Sequence, residues 1–323
     1  RDGRVTGVQT CALPILAAAW TDTVLRHSLG LRSGERLLIL ADRELEPAAE
    51  ALAGAARALG AGTVVRQVLP EPGRLQVVPR SLTDVVAAAA AVVSLRAELR
   101  LAVEDAPMRA ARDAFRRAGR GRWVSLAQVD EETLQTALAP GLEEAAVRAA
   151  ALAGRLRSAV GVRITAPGGT DLQVFYGGRP VLADTGRVRE AGAVGNLPAG
   201  EAYVAPHETG VEGLLVVDVA LGDIPLDQPV ALTFRRGRVV TVTGGKAAAE
   251  LRRRLGRDRW AWTVGELGLG SNPHLKPCDR VALAEKALGT AHVALGGNLA
   301  FGGRNPAATH YDCVIASPAV RFL

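Results

Sequence analysis

The sequence predicts an α/β fold, with an N-terminal doubly wound parallel-sheet domain over residues 16–158 and a C-terminal α+β domain over residues 159–323. Two observations lead to this prediction. Short apolar runs alternate with helical patterns along the first half. The second half is richer in glycine and proline and contains short strands of alternating polarity, which favours a mixed or antiparallel sheet. The chain has 323 residues, 48% of them hydrophobic, so it is long enough for two apolar cores.

The first half contains four predicted strands. Arg36–Ala41 is a short apolar run suited to a buried parallel strand, and Thr63–Val68, residues 90–95 and residues 122–126 are the next three. Helices are predicted from Trp20 to Leu29, from Pro47 to Gly60, from Ser81 onward, and from Pro107 to Ala118. No glycine-rich phosphate loop follows the first strand, so the pattern gives no support to nucleotide binding.

The second half begins after a long helix of alanine, leucine and arginine, predicted from Leu142 to about Val160. We place the domain boundary near Ala159, where the composition changes. The strands predicted beyond it are 162–165, 172–176, 213–219, 230–234 and 238–242.

Several classes of protein are disfavoured. No apolar stretch approaches the roughly twenty residues of a membrane span. The net charge of +6 comes from arginines scattered among acidic residues without interleaved aromatics, so we expect no nucleic-acid partner. Residues 1–15 look like a translated sequencing adapter, and we expect them to be non-native and exclude them from the fold argument. With no other export signal and no disulfide framework, we expect a cytoplasmic location.

The candidate metal ligands fall in the second half. His310 and Asp312 are two residues apart at the start of an apolar run, so in a strand both side chains project from one face. His292 interrupts the apolar strand 290–296, where it could equally be a hydrogen-bonded core residue.

Two carboxylates complete the candidate set. Glu266 stands between glycines and apolar residues, where an unpaired buried charge would cost several kcal/mol and a bound cation would compensate it. Glu201 lies where a proline–glycine turn enters a strand. Three carboxylates and two imidazoles suit one or two divalent ions such as Zn²⁺, Co²⁺ or Mn²⁺.

Five stretches of the second half resemble the thermophilic metallo-aminopeptidases of the aminopeptidase T and aminopeptidase S type. These stretches are residues 162–172, 196–201, 265–273, 285–296 and 310–312. The resemblance implies a two-metal hydrolase that removes N-terminal residues from peptide substrates, in a homodimer. It implies metal ligation by Glu201, Glu266, His292, His310 and Asp312, with the two glutamates as catalytic residues too. We therefore expect a metallo-aminopeptidase, a protease in which a metal-activated water attacks the peptide bond.

Two departures from that family keep alternatives open. The family has a tyrosine several residues after the histidine of Gly-Thr-x-His, whereas residues 297–303 contain none. The loop from His292 to His310 is also shorter than in the peptidases. The C-terminal half is similar as well to mononuclear Fe(II) ring-cleaving dioxygenases for dihydroxypyridines, and His292, His310 and Asp312 would then form the iron triad. A non-catalytic binding relative is the third hypothesis.

Overall fold

Three β-sheets organise the residues that a computed structural model describes, which are 19–69, 80–98 and 106–323. The predicted adapter-derived segment 1–15 lies outside them. The strands in chain order are β1 Arg36–Ala41, β2 Thr63–Val68, β3 Ala91–Arg96, β4 Arg122–Ala127, β5 Gly161–Thr165, β6 Asp171–Phe175, β7 Val181–Asp184, β8 Val194–Leu197, β9 Glu201–Val204, β10 Val211–Val217, β11 Ala220–Leu221, β12 Val230–Arg235, β13 Arg238–Thr243, β14 Val264–Gly270, β15 Thr290–Gly296, β16 His310–Ala316 and β17 Ala319–Phe322.

The helical elements include both long helices and single turns. The α-helices are Glu46–Ala58, Arg80–Ala88, Ala106–Ala118, Glu131–Thr133, Glu143–Arg157, Lys246–Leu255 and Val281–Ala284; π-helical turns are Thr23–Ser28 and Leu134–Leu138, and 3-10 turns are Arg43–Leu45 and Leu299–Phe301.

The first sheet, here called sheet A, is parallel and has the strand order β2-β1-β3-β4-β8. Leu37 and Ile39 of β1 pack in the same apolar cluster as the helix Glu46–Ala58. Leu38 and Leu40 point the other way, into a cluster with the next two helices. Helices therefore cover both faces, which explains why β1 has an unbroken apolar run rather than an alternating one.

The other two sheets are antiparallel and pack against each other. Sheet B has the order β13-β12-β10-β6-β5-β17, and sheet C has the order β11-β16-β15-β14-β9-β7. One apolar cluster contains residues of both sheets, such as Ile164 of sheet B and Val293 of sheet C. Along β15 this cluster takes Ala291, Val293 and Leu295, so His292 projects from the opposite face of sheet C.

The chain passes directly from sheet A to sheet C between β8 and β9. Only three residues separate Leu197 from Glu201, and Gly200 has a φ of +126° that favours glycine. A Cβ at Gly200 would lie 2.7 Å from that of Asn272, whose amide donates a hydrogen bond to the Ala199 carbonyl. This turn places Glu201 at the start of β9, just after the edge strand β8 of sheet A, and on the polar face of sheet C.

The predicted fold class is confirmed: a parallel sheet with helices on both faces is followed by antiparallel sheets. β1 and β2 have the predicted bounds. The predicted domain boundary at residue 159 stays a prediction, and β8 shows that the parallel sheet also takes a strand from beyond it. Within the described ranges, no helix is long and apolar enough to cross a membrane.

Candidate metal centre

The five predicted ligands lie on one face of sheet C. Strand register places His292 opposite Gly268, and it places Asp312 opposite Ala294. Glu201 pairs with Gly270 at the other side of β14. Because side chains two residues apart share a face, Glu266 and His310 project to that same side.

The five side chains approach each other closely. His292 Nε2 lies 3.4 Å from Glu266 Oε1 and 3.5 Å from Glu201 Oε2. His310 Nε2 lies 3.2 Å from Asp312 Oδ1 and 3.5 Å from Glu266 Oε2. The structure therefore brings together residues that are up to 111 positions apart in the sequence. That they bind a metal stays a prediction.

Among the described residues, three groups have potential ligand atoms that all lie within 4.8 Å of one another. These groups are Glu201–Glu266–His292, Glu266–His310–Asp312 and Glu285–His292–Asp312. No group contains both imidazoles, but Glu266 and Asp312 each occur with His292 in one group and with His310 in another. Either carboxylate can therefore share a cation with either histidine.

A glycine makes room for the His292 ring. A Cβ at Gly268 would lie 2.1 Å from His292 Cε1 and 2.3 Å from its Nε2, closer than any real contact. Gly268 is two residues from Glu266 and on the same face, so it leaves the gap into which the imidazole folds. This contact gives a physical reason for the glycine-rich sequence of β14.

The second histidine is oriented by the backbone. His310 Nδ1 lies 2.9 Å from the Gly297 carbonyl, so Nδ1 carries a proton and donates it, and Nε2 faces the carboxylates. A hydrogen bond of this kind, from the nitrogen that does not bind the ion, is typical of metal-binding histidines.

Sequence reasoning did not assign three charged residues at the same site, Asp184, Glu285 and Lys286. Lys286 is 1% exposed, and its Nζ lies 2.8 Å from Glu201 Oε1 and 2.6 Å from Glu285 Oε1. Asp184 Oδ2 lies 3.9 Å from the same Nζ. The available signal was that Lys286 is one of only three lysines in a chain with 39 basic residues.

The carboxylates and imidazoles strongly affect each other's pKa. Burial raises the pKa of Glu201, and the neighbouring Lys286 ammonium only partly opposes it. Burial alone would lower the pKa of His292 and His310, but the adjacent carboxylates outweigh it and raise both to about 10. Burial disfavours ionised Asp312, yet His310 holds the pKa of that carboxyl below its usual range. In the metal-free protein, the protons on the histidines and the Lys286 ammonium therefore compensate the negative charge of the carboxylates. A bound cation would compensate the same charge.

The donor set fits a bound cation. Glu201 Oε2 is buried and has no hydrogen-bond partner, although its carboxylate lies among the other donors. A buried charged acceptor without a partner is costly, and a cation held nearby would compensate its charge. A cavity of about 400 Å³ opens onto the site, and its lining includes Glu201, Glu266, His310 and Asp312. A small substrate can therefore reach the donors.

Comparison with known proteins identifies the family. The family model for 2,5-dihydroxypyridine 5,6-dioxygenase (NicX) matches residues 16–321. The chain belongs to this family. No curated protein matches the chain.

Two solved structures share the fold. The structure of 2,5-dihydroxypyridine dioxygenase from Pseudomonas putida is similar with a TM-score of 0.72 and 19% identity, covering 97% of this chain and 95% of that chain. AmpT from Thermus thermophilus is similar with a TM-score of 0.70 and 21% identity, covering 97% of this chain and 96% of that chain. At these identities the two likenesses establish the fold alone, and the AmpT likeness confirms the resemblance to the aminopeptidase T type at that level.

The prediction of a metallo-aminopeptidase is wrong. The family match points to a dioxygenase and not to a hydrolase or protease. The error has a physical reason: the predicted carboxylate and imidazole donors can hold metal for either chemistry, so the ligand set did not discriminate between them. The absence of a tyrosine in residues 297–303 was the sequence feature that pointed away from the peptidases.

Proposed function

We propose that this protein is a metal-dependent dioxygenase that opens the ring of a dihydroxylated pyridine. The observation that carries the proposal is the family match over residues 16–321, which includes every predicted metal ligand. The likeness to the Pseudomonas putida dioxygenase structure extends over 97% of the chain and supports the same fold for both proteins.

The donor chemistry supports Fe(II) as the metal. Two imidazoles and one carboxylate are the usual ligands of non-haem iron oxygenases, and we propose His292, His310 and Asp312 for this role. Asp312 supports the choice because it belongs to a close donor group with each histidine. When bound, the ferrous ion supplies the redox chemistry by which dioxygen reacts with an aromatic ring.

We propose that each chain binds one ferrous ion. Glu201 Oε1 already accepts a hydrogen bond from the buried Lys286 ammonium, which neutralises part of the negative charge available to a second cation. The predicted pair of Zn²⁺, Co²⁺ or Mn²⁺ ions is the alternative, in which the donor groups that contain His292 and His310 would each hold one ion. Counting metal ions per chain separates the two.

One of the remaining carboxylates, Glu266, has a role in proton transfer. A ring hydroxyl must lose its proton as the ring is oxidised, and Glu266 lies at the cavity beside both histidines. In this proposal Glu266 accepts that proton, and Lys286 holds Glu201 in place. Cleavage between two ring carbons with both oxygen atoms of O₂ entering the product requires no further co-reactant.

The test is oxygen uptake by protein that has been reconstituted anaerobically with Fe(II) and then mixed with 2,5-dihydroxypyridine. We expect one O₂ consumed for each ring lost, and we expect His310→Ala to abolish both signals. Wild-type protein that holds one iron per chain, yet consumes no oxygen with this substrate, would refute the proposed reaction. Ring binding without turnover under those conditions would instead favour a non-catalytic binding protein.

A further inference from the structure

The cavity beside the metal donors has an aromatic wall formed by Tyr203 and Phe301. Their rings pack edge to face, with centroids 5.7 Å apart and an interplanar angle of 77°. Phe301 packs in the same manner on the His310 ring at 6.2 Å. All three side chains line the cavity. Aromatic side chains that line a cavity can pack on another aromatic ring edge to face or offset.

The position of Phe301 is fixed by buried hydrogen bonds. Phe301 ends the 3-10 turn Leu299–Phe301, and the preceding Asn298 is 1% exposed. Asn298 Nδ2 donates to the Gly265 carbonyl at 3.0 Å, and its Oδ1 accepts from the Asn305 N–H at 2.7 Å. Because the turn is attached to β14 in this way, Phe301 is held at the cavity without being part of a strand.

Tyr203 reaches the same cavity from the sheet. It lies on β9 opposite Gly268, and Gly268 lies opposite His292. Gly268, the residue between them, has no side chain, and the His292 imidazole folds into the space that this leaves. A phenol hydroxyl is a hydrogen-bond donor at neutral pH. The cavity thus combines an aromatic surface, a neutral donor and the metal donors.

We propose that Tyr203 and Phe301 form a substrate subsite for a planar hydroxylated ring. Phe301 contacts the ring, and the Tyr203 hydroxyl donates a hydrogen bond to a ring oxygen. The inference rests on the proposed function and deepens it, because it names the residues that select an aromatic substrate over an aliphatic one. An aliphatic substrate would lose the contact with the Phe301 ring.

The experiment measures ring binding without turnover. Wild-type and variant proteins are loaded with Zn²⁺, which has no redox chemistry, and are titrated anaerobically in a calorimeter with two probes. The probes are 2,5-dihydroxypyridine and catechol. Phe301→Leu removes the aromatic ring but keeps an apolar side chain, and Tyr203→Phe removes only the hydroxyl. The matched controls are Leu299→Ala on the same turn, where the side chain is 62% exposed, and Tyr176→Phe, whose hydroxyl has no partner and lies outside the cavity.

We expect Phe301→Leu to weaken binding of both probes about five- to tenfold, as the loss of an aromatic contact implies. We expect Tyr203→Phe to weaken binding about fivefold, as the loss of one neutral hydrogen bond implies. Both control variants should bind like the wild type. Wild-type affinity in both Phe301→Leu and Tyr203→Phe would overturn the subsite, while continued binding of 2,5-dihydroxypyridine would leave the proposed function standing.

Catechol, the second probe, distinguishes the aromatic subsite from the proposed substrate class. Binding of catechol but not of 2,5-dihydroxypyridine, with the same dependence on Phe301 and Tyr203, would support the subsite and overturn the proposed substrate class. Failure of the wild type to bind either ring at millimolar concentration would overturn both. Thermal unfolding of each variant checks that a loss of binding does not come from a loss of fold.

Discussion

Replacing Gly268 with alanine is the sharpest test of how the fold positions His292. The new Cβ would lie 2.1 Å from the imidazole, whereas ordinary contacts begin near 3.4 Å, so the ring must retreat by about 1.3 Å. Metal–ligand distances vary by only about 0.2 Å in good sites, so such a shift removes His292 from the ion. The ring is 1% exposed and packed against two glutamates, which leaves it little room to adapt.

We expect Gly268→Ala to lower the metal affinity by about 10- to 100-fold, the range typical when the support of a metal ligand is disturbed. We expect overpacking to lower the free energy of unfolding of the metal-free protein by about 1–3 kcal/mol. Competition with a chromophoric chelator gives the affinity, and urea titration gives the stability.

The matched control is Gly154→Ala, a helical position where an added Cβ meets nothing within 4 Å. It should keep the wild-type metal affinity and gain about 0.5–1 kcal/mol from helix propensity. Unchanged metal affinity in Gly268→Ala would refute the reasoning, because His292 could then not be a ligand in the position described.

Three further predictions concern the charges and the loop of the site. Lys286→Met should lower the free energy of unfolding of the metal-free protein by about 3–5 kcal/mol, because it leaves the buried carboxylates without the lysine ammonium that pairs with them. Lys246→Met at an exposed position is the control, and an equal Tm for the two variants would contradict this expectation. His292 and His310 have pKa values raised to about 10, so their protonation stabilises the metal-free fold fully below about pH 6.5, and this contribution is lost as the pH rises through 10. Metal binding needs neutral imidazoles, so metal affinity should rise over the same interval, and a pH-independent affinity in calorimetry would argue against both histidines as ligands. Asn298→Ala removes two buried hydrogen bonds, and residues 299–304 should then exchange amide hydrogen faster, whereas unchanged exchange would show that other contacts hold the loop.

The central strands of the parallel half, β1, β3 and β4, were accessible from the sequence because they are buried on both faces, whereas the edge strand β2 has no fully buried residue. β1 and β2 are short runs bounded by glycine, proline or charged residues, and their bounds were predicted correctly. β8 could not be predicted, since it has only four residues, including a glycine, and only Leu197 is buried. What defines β8 is its pairing with β4, about seventy residues earlier, which no local pattern records.

The candidate donors were visible because His292 and Glu266 interrupt apolar or glycine-rich strands, whereas Glu201, His310 and Asp312 lie at or near strand starts. Their mutual approach was not visible, and neither was the buried Lys286, whose partner Glu201 is 85 residues away. The Gly268 contact with His292 likewise depends on the register of β14 and β15. Register is set by turn geometry and by the whole hydrophobic pattern, so a single position does not reveal it.

The reaction was predicted incorrectly, although the residues that the structure brings together at the site had been named from the sequence. A cluster of carboxylates and imidazoles specifies a hard or borderline divalent cation but not the bond that is broken. We expect the reaction to depend on side chains around the donors, such as Phe301 and Tyr203, which line the cavity. Phe301 occupies the loop where the peptidase resemblance required a tyrosine.

In the proposed reaction, both atoms of dioxygen enter a dihydroxylated pyridine ring as it opens. The most direct measurement is mass spectrometry of the product formed from 2,5-dihydroxypyridine under ¹⁸O₂ by the Fe(II)-loaded protein. We expect a ring-opened product that contains both atoms of one labelled oxygen molecule. A product that takes its oxygen only from water, or an intact ring after prolonged incubation with the iron-loaded protein, would contradict it.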